Sequence, residues 1–536
     1  MASTFHVEHF GCRAARADGE AVSGRLRAAG LGERNAAAAD VVVVNTCSVT
    51  AEADRAARAF IRRAHRLNPA ARIVVTGCYA QRVPEELAGM AGVAAVVGNS
   101  HKALAPEIIL GLAGNRAAPP ALVSVQSLLA GGVPIWADDR FAHSFLEEAQ
   151  LAPGTQTRPN LKIQEGCGNR CSFCVIPQTR GSSKSLPAAS VLRQVEGFVA
   201  AGGNELVLSG INLGRWGRDL VASAHGRVDR DLWYPTLSPE SRNAGSSTPV
   251  TAVTFAQNDG ARGFGGDRGG GESVPRTLAG QVREIFEETG LPRLRLSSIE
   301  PMDWDAELIG LMAEFGNPKN GRARLARHAH LPLQSGSDAV LRRMHRRYRP
   351  WHYVEKVEAL VKAAGPELTL GADVMVGFPG ETDGEFEETL ELVRALPFGY
   401  LHLFPFSPRP ATRAWALHAE RPVADAVVEE RMAVLRALAA RKSFEHRKRF
   451  VGRELEAITL HTPVELAGRG WTAALTENFL PVEMEGRFAA NQLERVRVSG
   501  LTAEGALEAS KAELARTEPE SLLSCAGASI CDKLDS

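Results

Sequence analysis

No run in the sequence approaches the roughly 18 consecutive apolar residues that span a bilayer, so a helical membrane anchor is excluded. Net charge is also lacking, since 62 Lys and Arg balance 62 Asp and Glu. A uniformly basic coat for nucleic acid is therefore excluded, while local basic patches are not. The first twenty residues lack a basic segment followed by an apolar one; no secretory signal is read there, and the expected compartment is cytoplasmic. Cysteine is scarce, at 8 of 536 residues. In a reducing compartment so few thiols are expected as metal ligands or reactive groups rather than disulfides. No repeat of fixed period stands out.

What is present is an ordinary globular composition, 44% hydrophobic and 23% charged, long enough for three or four domains. Residues 1–125 alternate β-branched runs with Ala/Arg/Leu stretches, the pattern of a parallel α/β layer. Phe5–Phe10, Val41–Val44 and Arg72–Val75 read as strands, each followed closely by a cysteine (Cys12, Cys47, Cys78). Parallel strands share one carboxyl edge, where the three thiols can meet. Residues 126–158 read as a linker. From 159 to 420 a second βα series runs through strands at Leu161–Gln164, Glu205–Leu208, Leu294–Ser297, Ala329–Leu333, Ala372–Val376 and Leu401–Phe404. Six βα units suggest an incomplete relative of the eight-unit barrel, with its site at the strands' C-terminal ends. Residues 221–276 break the rhythm and carry seven glycines between Gly260 and Gly271, which reads as a flexible insertion without a chemical role. Residues 421–450 form a long basic helix, 451–501 a small β-barrel, and 502–536 a weakly helical, fraying tail.

The densest signal is Gly166-Cys167-Gly168-Asn169-Arg170-Cys171-Ser172-Phe173-Cys174, a C-x3-C-x2-C spacing directly after a strand. Three thiolates on one tight loop suit three irons of a [4Fe–4S] cube and leave the fourth iron open for chemistry. Gly166 and Gly168 let the backbone fold close around the cube, and Phe173 shields one side. Structural zinc is the other reading, but it wants four ligands and no fourth Cys or His lies nearby at finger spacing.

This loop resembles that of the radical S-adenosylmethionine enzymes. The resemblance implies an open iron that chelates S-adenosylmethionine, and an external electron donor whose electron cleaves the sulfonium to methionine and a 5′-deoxyadenosyl radical. Three earlier cysteines, in Gly11-Cys12, Asn45-Thr46-Cys47-Ser48 and Gly77-Cys78-Tyr79-Ala80-Gln81, complete an arrangement that resembles the methylthiotransferases. Further matching stretches are Arg295-Leu296-Ser297-Ser298-Ile299-Glu300-Pro301, His330-Leu331-Pro332-Leu333-Gln334-Ser335-Gly336, Val376-Gly377-Phe378-Pro379-Gly380-Glu381-Thr382 and Phe404-Pro405-Phe406-Ser407-Pro408-Arg409. Their details are most similar to the branch acting on N6-threonylcarbamoyladenosine at tRNA position 37. Sibling branches act on isopentenyladenosine-37 or on a ribosomal-protein aspartate.

The resemblance implies an α/β fold with an N-terminal parallel domain, a central partial (β/α)6 radical SAM barrel and a C-terminal TRAM-like β-barrel. It implies two [4Fe–4S] clusters, one on Cys167, Cys171 and Cys174 and one on Cys12, Cys47 and Cys78, with S-adenosylmethionine as cofactor. The second cluster carries or donates sulfur; the ultimate sulfur donor is not specified. Without the resemblance, small buried hydrophobes near strand ends are the alternative reading of Cys47 and Cys78. One departure is Ala15, where relatives usually carry Asn three residues after the first cysteine; it removes no ligand.

Glu205, in Gly202-Gly203-Asn204-Glu205, resembles the superfamily segment that meets the methionine amino group, and a carboxylate suits an ammonium. A solvated turn glutamate is the alternative. Gly377-Phe378-Pro379-Gly380 is a turn at a strand mouth, and His328 and His330 share one strand face. Two basic stretches stand out. Arg431–Arg453 holds eight Lys/Arg and one acid, and Arg322–Arg349 holds eight arginines and one acid. Both are candidate phosphate contacts, and Phe479 or Trp471 of the small barrel is a candidate stacking surface for a base of the tRNA anticodon loop. A reading of another class, a non-catalytic iron–sulfur RNA-binding protein, predicts RNA affinity without 5′-deoxyadenosine production.

Overall fold

The computed structural model describes residues 3–114, 132–139, 141, 157–220, 276–316 and 322–512. The first sheet contains β1 (Thr4–His9), β2 (Gly32–Glu33), β3 (Val41–Thr46), β4 (Arg72–Gly77), β5 (Val93–Gly98) and β6 (Ile135–Trp136), in the order β2-β1-β3-β4-β5-β6. Every pairing is parallel. Helices cover both faces, so the central strands are continuous apolar runs, and Val41 to Val44 are fully buried. β6 falls within the segment read as linker and joins this sheet through Val96↔Ile135.

β7 (Asn160–Glu165), β8 (Lys184–Ser185), β9 (Glu205–Gly210) and β10 (Arg293–Leu296) form a second sheet, ordered β10-β9-β7-β8. β11 (His328–His330), β12 (Thr369–Val376) and β13 (Phe398–Pro405) form a third, ordered β11-β12-β13. The isolated parallel bridge Leu294↔Leu325 joins the two. The six parallel strands thus run β7-β9-β10-β11-β12-β13, a barrel wall whose end strands, β7 and β13, do not pair among the described residues. All six sequence-predicted strands are present. The Gly-rich insertion lies outside the described residues apart from Arg276.

The helix Asp425–Lys448 packs on β13 and leads into a closed barrel of β14 (Glu454–Thr459), β15 (Trp471–Thr476), β16 (Pro481–Glu485), β17 (Leu493–Leu501) and β18 (Leu507–Lys511). Here the expected tail is corrected. The alternating Leu507 and Ala509 are buried, and β18 closes the barrel between β16 and β17. Cys525 and Cys531 lie outside the described residues. No described helix is long and apolar enough to cross a membrane.

The run Arg322–Arg349 turns out to bind the protein itself. Arg322 and Arg293 pair with Glu456 of the small barrel, and Arg327 pairs with Glu477. Arg324 caps backbone carbonyls of Phe286, Thr289 and Leu291. Arg342 and Arg349 meet Asp338, Arg343 meets Glu385, and Arg346 and Arg347 meet Glu300. All eight arginines are therefore engaged internally. The phosphate-contact expectation for this run is withdrawn, because every one of these charges has a partner in the protein; Arg322 and Arg327 fasten the small barrel to the larger one, and Arg346 reaches the cysteine loop.

Candidate active site

Cys12, Cys47 and Cys78 follow β1, β3 and β4, which are adjacent in the sheet, so one carboxyl edge collects all three. Two glycines make the approach possible. Gly11 (φ +101°) lies so close to Cys47 that a Cβ would sit 2.2 Å from the Cys47 Cβ. Gly77 (φ +98°) would place a Cβ 2.3 Å from the Thr46 carbonyl oxygen. Any larger residue there is doubly excluded. Cys12 is exposed, while Cys47 and Cys78 are each 3% exposed. Burial, followed by the neighbouring Cys78 and Cys12, pushes the Cys47 thiol up to about 12. At the departure Ala15, the Asn45 side-chain amide donates to the Ala15 carbonyl, linking β3 to the helix that Cys12 opens.

Cys167, Cys171 and Cys174 lie on the loop after β7. The loop is pinned by Cys167 N–H to Gly181 O (3.1 Å), Ser172 N–H to Met344 O (3.0 Å) and Cys174 N–H to Cys171 O (3.2 Å). Each sulfur has a donor. Asn169 N–H and the Asn212 side-chain amide face Cys167 at 3.4 and 3.6 Å, Arg346 Nη1 faces Cys171 at 3.2 Å, and Ile176 N–H faces Cys174 at 3.5 Å. Glu300 accepts from Asn169 Nδ2 (3.0 Å) and pairs with Arg346 (3.0 Å), so one carboxylate orients both groups. Burial pushes the Cys167 and Cys174 thiols up. Phe173 packs on Phe378 and Phe378 on Phe406, an apolar wall beside the loop.

Arg180, from the barrel unit, reaches Cys78 of the N-terminal trio. Its wholly buried guanidinium donates from Nε to Cys78 Sγ (3.1 Å) and from Nη1 to Glu165 Oε1 (2.7 Å) and Asp18 Oδ2 (3.0 Å). The Asn99 amide also donates to Cys78 Sγ (3.3 Å). Lys102 and Lys162 complete a buried group of three cations and two carboxylates. Burial alone would raise both carboxyls, but Lys102, Lys162 and Arg180 hold Asp18 and Glu165 below the usual carboxylate range. Asp18 and Lys102 belong to the first α/β unit, Lys162, Glu165 and Arg180 to the second.

The residues present fit an iron–sulfur group with a polar organic ligand. Clustered sulfurs ringed by N–H donors suit a soft metal–sulfur centre. At the C-terminal ends of β9 and β10 and just beyond β11, Ser209 Oγ, Asn212 Oδ1, Ser297 Oγ and Gln334 Oε1 are buried without a partner among the described residues, as expected where a ligand supplies the missing bonds. Gln334 also holds a left-handed φ of +65°, a conformation disfavoured for a side-chain-bearing residue.

Glu205 is placed elsewhere. It begins β9, at the strand end opposite the cysteine loop, and is fully buried, so the structure does not bring it to the expected ligand. Arg295 Nε donates to it at 2.9 Å, and Arg293 and Arg158 each lie at 3.4 Å. Burial would raise its carboxyl, but Arg295, Arg158 and Arg293 hold it down to about 2. Its contribution to stability is thus complete above the ordinary value of 4.5 and is lost as pH falls toward 2, worth about 3 kcal/mol. Glu205→Gln is expected to lower the apparent melting temperature at pH 7 and to flatten its fall between pH 5 and 3, read by scanning calorimetry.

Phe479 does not offer a free ring to RNA either. Its ring packs 4.4 Å from His328 and 5.7 Å from Tyr400, beneath the larger barrel, with Arg295 over its face at 5.3 Å. The turn Gly377–Gly380 is held by Glu381, which accepts from Gly377 N–H and pairs with the buried Arg431. Arg436, Arg441 and Lys448 are exposed along the helix Asp425–Lys448, with Phe444 49% exposed among them.

Arg180, Asn99 and Asn212 were not singled out from the sequence, while Glu300 was read only within a matching stretch and Arg346 only within a basic run. Asn212 had a signal, as a polar residue just past the C-terminal end of a barrel strand. Arg180 and Arg346 had none, since one guanidinium among 62 basic side chains carries no spacing mark.

Sequence comparison agrees with this geometry. Residues 4–98 match the uncharacterized protein family UPF0004, and residues 267–393 match the radical SAM superfamily, which sets the class as radical S-adenosylmethionine enzymes built on [4Fe–4S] and S-adenosylmethionine. The chain is 31% identical over 460 residues to threonylcarbamoyladenosine tRNA methylthiotransferase MtaB of Aquifex aeolicus, covering 86% of this chain and 91% of that one. It is 32% identical over 485 residues to the protein of the same name from Bacillus subtilis, covering 90% of each. A tRNA-2-methylthio-N(6)-dimethylallyladenosine synthase of Sorangium cellulosum is 33% identical over 444 residues, covering 80% of this chain and 76% of that one. The chain belongs to the radical SAM methylthiotransferase family.

Proposed function

We propose that the protein transfers a methylthio group to C2 of N6-threonylcarbamoyladenosine at position 37 of tRNA. Two observations support this reading: the paired cysteine trios, and the near-complete coverage of relatives that carry this activity in their names. The sibling named for dimethylallyladenosine is covered over a smaller share of both chains.

On this reading Cys167, Cys171 and Cys174 hold the radical-generating [4Fe–4S] cluster, and Cys12, Cys47 and Cys78 hold a second one that bears the sulfur. Bound together, the clusters and S-adenosylmethionine supply the one-electron cleavage, the methyl group and the sulfur to be inserted. The chain's own groups orient and tune these ligands. Arg346, Asn212 and the loop N–H groups direct hydrogen bonds at the first trio's sulfurs, while Arg180 and Asn99 do so at Cys78. Such bonds stabilise the thiolate form and shift cluster potential. The Phe173–Phe378–Phe406 wall keeps water from the loop. Arg436, Arg441 and Lys448 form the phosphate-facing surface, consistent with exposed cations on an otherwise neutral chain.

The test is mass spectrometry of tRNA nucleosides from a strain lacking the gene. The methylthio form of threonylcarbamoyladenosine is expected to vanish and its precursor to accumulate. Unchanged methylthio-threonylcarbamoyladenosine would exclude this substrate.

A further inference from the structure

One cluster of titratable side chains inside the larger barrel is not used by the reading above. His330 ends β11, Asp373 lies in mid-β12 and His402 in mid-β13. Side chains alternate along a strand; Leu370, Ala372, Val374 and Val376 enter the apolar core on one face of β12, while Asp373, on the other face, is the one residue of the strand that is only partly buried. The register Asp373↔His402 sets His402 beside it. His402 Nδ1 and His330 Nε2 each lie 3.3 Å from the same oxygen, Asp373 Oδ1. Behind them, His330 Nδ1 is 2.5 Å from Ser298 Oγ. The two imidazole rings are 5.3 Å apart. His330 is buried, whereas the His402 side chain is 61% exposed. His402 is therefore the member presented to an entering molecule, with Asp373 fixing its ring.

Two chains of contacts lead from the cluster's neighbours to the cysteine loop. Ser298 is two residues from Glu300, which holds Asn169 of that loop. Further along β13's direction, Phe406 packs on Phe378, which packs on Phe173 of the same loop. Tyr400, His328 and Phe479 close the floor below.

The two nucleosides named for the relatives differ at N6. The threonylcarbamoyl arm ends in a carboxylate, while the dimethylallyl arm is hydrocarbon. A carboxylate drawn out of water requires a charged or strongly donating partner; a hydrocarbon does not. We infer that His402, oriented by Asp373 and backed by His330, binds the carboxylate of the substrate's threonylcarbamoyl arm and so selects that nucleoside over one with an apolar arm. This rests on the function proposed above. The three ligand atoms also lie within 4.8 Å of one another, a grouping that a divalent metal uses as well, and the test separates the two.

The experiment uses full-length reconstituted enzyme and two tRNAs, one carrying threonylcarbamoyladenosine and one in which its carboxylate is converted to the primary amide. Wild type is expected to prefer the acid by roughly 10- to 100-fold in kcat/KM, the worth of one charge-assisted hydrogen bond. His402→Ala is expected to lose most of that preference through the acid substrate alone, with iron content and melting temperature as checks on folding. Preference retained in His402→Ala overturns the inference. So does a stoichiometric divalent metal other than iron that disappears with His402. Wild type acting equally on both tRNAs overturns the inference alone, whereas wild type acting on neither overturns the proposed function as well.

Discussion

Cys78→Ala is expected to lower bound iron from about eight atoms per chain to about four and to abolish the methylthio product. Cys171→Ala is expected to lose the other four and, in addition, 5′-deoxyadenosine formation. The asymmetry follows from placement. Cys78 belongs to the trio at the edge of the first sheet, and Cys171 to the loop above the barrel. Iron counting on anaerobically reconstituted variants, alongside chromatography of both products, gives the answer. A Cys78→Ala protein that still binds about eight irons would sink the two-cluster reading, since buried Cys47 and exposed Cys12 cannot complete a trio without it.

Glu165→Gln is expected to cost about 3–5 kcal/mol, the effect of removing one member of a buried charge group and leaving the others uncompensated. Glu165 accepts from Arg180 at 2.7 Å and from Lys162 at 2.6 Å, and Lys102 also pairs with it. Its loss leaves three buried cations facing Asp18 alone. Because Asp18 and Lys102 lie in the first α/β unit, the variant is expected to loosen the contact between units and to lower the calorimetric transition. A shift below the equivalent of 1 kcal/mol would show that the group is hydrated in solution and does not hold the units together.

The chemistry was legible in the sequence because it is written in a rare residue. Eight cysteines in 536 residues make spacing informative, and hydrophobic runs located the strands that carry them. All six barrel strands were visible because each lies in a short segment that carries apolar residues, such as Leu161 and Ile163 in β7 or Leu294 and Leu296 in β10. Charge was far less legible. The arginines of 322–349 look like a nucleic-acid surface in sequence, yet most meet an acid, a carbonyl or a sulfur brought from distant chain, such as Glu456 and Glu477, while Arg342 and Arg349 meet Asp338 of the same run. Local composition does not reveal such partners. Glu205 misled for the same reason, since its three arginines come from β10 and from residue 158. β18 was missed because Leu507–Lys511 is five residues long and reads as strand only when β16 and β17 supply its neighbours.

Phe479 gives the molecule a fixed gauge. Its ring is wedged under His328 and Tyr400, so the small barrel is built into the underside of the reaction chamber instead of swinging on a tether. On the proposed function, the distance from the small barrel's outer face to the cysteine loop is then set by packing and not by a linker.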